Sequence, residues 1–89
     1  MVTEADILAD IIQPNQATLS KDSARDILRM SFSENAHDRM AELCDGHNRG
    51  ELEPQELAEL ESYRRVGLLV DLLQAKARLS LDDANRTPG

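Results

Sequence analysis

From Pro54 to about Ser80 the chain offers nothing that interrupts a helix except Gly67. At 1.5 Å per residue, a run of about 27 residues is a rod of roughly 40 Å. In a chain of 89 residues such a rod dictates the architecture, because every other segment must pack along it or leave it bare. Pro54 suits a first helical position, and Glu53 and Glu56 stand near the positive end of the helix dipole. Leu57, Leu60, the aliphatic stem of Arg64, Gly67 and Leu68 form one stripe. Val66, Leu68, Leu69, Val70, Leu72 and Leu73 then make the helix apolar nearly all round. Gly67 costs about 1 kcal/mol in a helix interior.

The preceding residues read as three short helices. Thr3, with Asp6 three places on, has the form of a helix start, followed by the stripe Ile7, Leu8, Ile11 and Ile12 and a stop at Pro14-Asn15. Ser20 is placed to cap a second helix, with Ala24, Ile27 and Leu28 inward, ending near Arg29 or Met30. A third begins at Ser31 or Ser33, puts Ala36, Met40, Leu43 and Cys44 on one side, and is expected to end near Gly46. The chain has one Phe, one Tyr and no Trp, so the core must be aliphatic, and runs of β-branched residues are missing. The expectation is an all-α fold, three short helices packed on one long C-terminal helix. Residues 1–81 read as a single domain, with 1–13 able to dock separately and 82–89 as a disordered tail.

The formal net charge of -7 is unevenly placed. Residues 34–61 carry nine acids against Arg39 and Arg49, whereas 62–81 carry Arg64, Arg65, Lys76 and Arg78 against Asp71. An acidic chain with two aromatics is a poor fit to direct nucleic-acid binding, which draws most of its affinity from phosphate contacts. The acidic N-terminus lacks the basic region of a signal peptide, no apolar run approaches membrane-spanning length, and the single cysteine fits a reducing compartment. The expected location is cytoplasmic.

The stretch from Asp45 to Glu56 resembles a calcium loop, with Asp first, Gly sixth and Glu twelfth. Such a loop needs oxygen ligands at positions three and five, which here are His47 and Arg49. A cation at the fifth place opposes the ion, so the stretch is read as a turn. His37, Cys44 and His47 are the soft ligands present, and Cys44 with His47 has zinc-like spacing, but no second pair exists to complete four ligands. Asp38 or Glu42 could complete such a site; a degenerate calcium or zinc module stays an alternative. For catalysis, Cys44 lies among acids that disfavour a thiolate, and no phosphate loop or nucleophile elbow is present. The expectation is a non-enzyme with no cofactor, no metal and no small-molecule substrate.

The apolar excess on the long helix points instead to a protein partner or a homodimer. The residues placed at that interface are Val66, Leu69, Val70 and Leu73 as anchors, with Tyr63, Arg64 and Arg65 at the rim. Glu51, Glu53, Glu56, Glu59 and Glu61 form a candidate acidic face.

From Ser23 to Leu81 the chain also resembles a group of short bacterial helical proteins. The matching elements are Phe32-Ser33-Glu34, Arg39 to Leu43, Gly50 to Glu56, Glu59 to Gly67 and Leu72 to Arg78. Members of that group are often encoded beside small HNH-type nucleases. The resemblance therefore implies an antitoxin-like protein or accessory subunit whose partner is a nuclease, and it implies no catalytic residues.

Overall fold

The computed structural model describes residues 1–86 and contains, among them, four helices and no strand. They are α1 (Glu4–Ile12), α2 (Lys21–Leu28), α3 (Glu34–Asn48) and α4 (Pro54–Arg86). The fold is all-α, with one long C-terminal helix serving the other three. α4 has 33 residues, running on to Arg86 through part of the stretch expected to be a tail. Thr87 to Gly89, the remainder of that expected tail, lie outside the described residues. An ion pair of Arg86 with Asp82 at 3.2 Å, one helical turn apart, supports the extension.

Each short helix begins where a side-chain oxygen meets an orphan amide. Thr3 accepts from Asp6 N–H while Asp6 accepts from Thr3 N–H, a reciprocal capping box at 3.2 and 3.0 Å. Ser20 accepts from Ser23 N–H. Of the two candidates before α3, Ser33 is the cap, accepting from Ala36 N–H at 3.1 Å.

The expected end of α3 at Gly46 is corrected by the structure. The left-handed residue is Gly50, with φ 68°, and α3 continues to Asn48. Gly50 N–H donates to His47 O and Glu51 N–H to Gly46 O, the paired bonds that close a helix on a left-handed residue. Gly46 has a different duty. A Cβ there would lie 2.7 Å from Leu52 Cδ2, so the missing side chain lets the turn fold back over the last turn of α3. The calcium-loop resemblance dissolves in the same stretch. Asp45 and His47 sit inside α3, Arg49 pairs with Asp45 at 3.3 Å, and Glu56 accepts from Glu53 N–H at the start of α4. It is a turn.

Packing divides the chain into two compact units, Met1–Met30 with the helix from Leu68 onward, and Ser31–Gly67. In the first, Ile12, Ala24, Ala77 and Ser80 are buried. Three polar side chains of α4 hold the ends of the short helices there. Lys76 donates to Ile12 O at 2.8 Å, a cation at the negative end of α1. Gln74 donates to Met30 O at 2.7 Å, just past the end of α2, and Ser80 accepts from Leu19 N–H at 3.2 Å, just before α2 begins. The N-terminal helix, read as able to dock separately, is thus tied to α4 through its last carbonyl. In the second unit the core is Leu43 of α3 and Leu60 of α4, exposed by 1% and 2%.

Candidate protein-binding surface

The second unit carries both aromatic rings of the chain and brings them together. Phe32 stands between α2 and α3, one residue before the Ser33 cap that fixes the start of α3. Tyr63 projects from α4 and meets Phe32 edge to face, with centroids 5.9 Å apart and planes at 69°. His37, one turn into α3, approaches the same ring at 6.1 Å and 83°. Around this pair lies an open recess of about 300 Å³ lined by Phe32, Glu59, Ser62, Tyr63 and Val66. Val66, at its edge, is 47% exposed.

One side of the recess is held rigid by a charge clamp. Arg39 of α3 grips Glu59 of α4 with both prongs, Nε to Oε2 at 2.7 Å and Nη2 to Oε1 at 3.1 Å. Glu42 lies 3.3 Å from the same guanidinium and Glu56 at 4.0 Å. The hydrogen bond from Arg39 holds the Glu59 carboxyl below the ordinary carboxylate range, and that bond in turn pushes the Arg39 pKa up. Because Glu59 is fixed by Arg39, the wall it lends the recess keeps its place.

The structure divides the residues assigned to the interface. Tyr63 and Val66 meet at the recess. Arg64 is exposed, and Arg65 is exposed and donates to Ser62 Oγ at 3.2 Å. Leu69, Val70 and Leu73 lie in the first unit and are half-buried. From Leu68 to Leu73, no apolar side chain is wholly enclosed and none is fully bare. The proposed acidic face is not one surface. Glu56 and Glu59 turn toward Arg39, Glu51 and Glu53 belong to the turn and the start of α4, and Glu61, two residues beyond Glu59, projects on another side of the helix.

Cys44, expected on the inner side of α3, is exposed, because Leu43 occupies the centre of that face and the next residue rotates outward. His37 and His47 are exposed as well. Among the described residues no group of three His, Cys, Asp or Glu side chains is arranged to hold a metal ion.

Apolar exposure is largest elsewhere. Ile11 is 73% and Ile7 52% exposed, one turn apart on α1, while Ile12 is buried and Leu8 half-buried on its other side. Nothing in the spacing of Ile7, Leu8, Ile11 and Ile12 separates the inner pair from the outer; the packing of α1 on α4 decides it. The Arg39 clamp was likewise silent in the pattern, since Glu59 is one of nine acids in its stretch. The pairing of Phe32 with Tyr63 had a faint signal, as the only two aromatics flank that acidic stretch. No helix is long and apolar enough to cross a membrane among the described residues. Comparison with family models, curated proteins and solved structures gives no match.

Proposed function

We propose that this chain is a non-catalytic interaction protein, an antitoxin-like or accessory subunit that binds a protein partner along α4. The observation that carries the reading is the recess bounded by Phe32, Tyr63 and Val66. It is an apolar hollow with two aromatic walls, a rim of charge and polar hydroxyls, and it suits an aliphatic anchor from another protein. Tyr63 and Val66 are its anchors on this side, with Arg64 and Arg65 at the rim. Leu69, Val70 and Leu73 are secondary, since their own unit already covers them in part.

The partner suggested by the family resemblance is a nuclease. Exposed Glu51, Glu53 and Glu61 would face its basic surface and hinder nucleic-acid binding, whereas Glu56 and Glu59 are already engaged by Arg39. Co-expression with the neighbouring gene product, followed by co-purification, tests the proposal directly. Val66→Asp should weaken the complex about 30-fold or more, the effect of losing a central anchor. A complex that survives Val66→Asp and Tyr63→Ala together sinks the assignment. Steep loss of affinity with added salt is expected if the acids contribute.

A second reading, self-assembly, is favoured by the bare Ile7 and Ile11 pair. Light scattering separates the two: a stable dimer that Ile11→Asp dissolves supports self-assembly, and a monomer of 9.9 kDa removes it.

A further inference from the structure

Each glycine of a helical protein should answer to a close contact or a left-handed backbone. Gly46 answers to Leu52, 2.7 Å from where its Cβ would stand, and Gly50 to its φ of 68°. Gly67 answers to neither. A Cβ added there meets nothing within 4 Å, and its φ is not positive. Glycine is nevertheless among the poorest residues for a helix interior, so Gly67 weakens α4 locally with no packing return.

Its position is not arbitrary. Gly67 is the last residue of one compact unit, and Leu68 the first residue of α4 in the other. The helix is anchored on either side by buried residues, Leu60 in one unit and Ala77 in the other, while every residue from 61 to 76 is exposed or half-buried. A sparsely held stretch centred on a helix-weakening residue opens more readily than its flanks. We infer that Gly67 is a joint: α4 opens or bends there transiently, and the two units move with respect to each other about that point while each keeps its own core. The inference does not depend on the identity of any partner.

The chain supplies its own probe. Cys44 is the sole cysteine and is exposed on α3, in the second unit. Arg78→Cys adds a second attachment point on exposed α4 surface in the first unit. Spin labels at these two sites report the distribution of their separation by pulsed dipolar spectroscopy in the full chain, with and without Gly67→Ala. The expected result is a broad or multiple distribution in the parent that contracts to one narrow component in the alanine variant. Amide exchange at residues 67–71 should slow about fivefold with Gly67→Ala, the effect of removing the glycine penalty from local opening. Identical distributions in the two proteins, narrow or broad, overturn the inference, even where amide exchange slows. Because Gly67→Ala adds one methyl into open space and improves helix propensity, failure to fold is not a competing outcome.

Discussion

Gly50 and Gly67 respond to alanine in opposite directions, and the difference follows from backbone and space alone. At Gly50 an L side chain must adopt the left-handed region, which costs about 1–2 kcal/mol. Gly50→Ala should therefore lower stability by about that amount in denaturant titration, while Gly67→Ala should raise it by up to about 1 kcal/mol. The Arg39–Glu59 clamp yields a second expectation at this scale. The folded chain holds the Glu59 carboxyl below its ordinary range through the Arg39 hydrogen bond. The contribution is thus complete above the ordinary carboxylate pKa of about 4 and fades as the pH falls through the lower folded value. Thermal melts between neutral and acid pH should show that loss, and Glu59→Gln should flatten it. Asp6, lowered chiefly by the Thr3 backbone amide, adds a smaller effect of the same sign at the start of α1.

Among the elements, α4 is the part most legible in sequence and also the part whose surroundings were least so. Its start at Pro54, its continuity and the capping of α1, α2 and α3 are local matters, settled by residues a few places apart, and pattern reaches them. Which side of α1 faces inward is a matter of packing, and so is the emergence of Cys44 into solvent. The same holds for Ser80: a serine within a helix carries no mark that it will accept from Leu19 N–H, 61 residues away in sequence. Of the candidate site, Tyr63 and Val66 could be named in advance, whereas Phe32 and the Arg39 clamp required the long-range approach of α3 to α4. Ser80→Ala should cost about 1–3 kcal/mol, because the buried amide at Leu19 loses its acceptor, and the loss should appear as faster exchange at that amide. Leu43→Ala or Leu60→Ala should cost about 2–5 kcal/mol, enough to threaten a chain of this size, and calorimetry would register a lower, broader transition.

Taken whole, the molecule sets acidic charge against uncovered apolar surface. Its formal charge of -7 keeps copies apart at neutral pH, and that repulsion is what restrains Ile7 and Ile11, left bare on α1. As carboxylates protonate on acidification, the restraint weakens and the isoleucines remain as sticky as before, since burial of hydrocarbon does not depend on pH. The colloidal consequence is a solubility minimum in mild acid, near the point of zero net charge, and turbidity there should be far lower for a chain in which both isoleucines are replaced by serine.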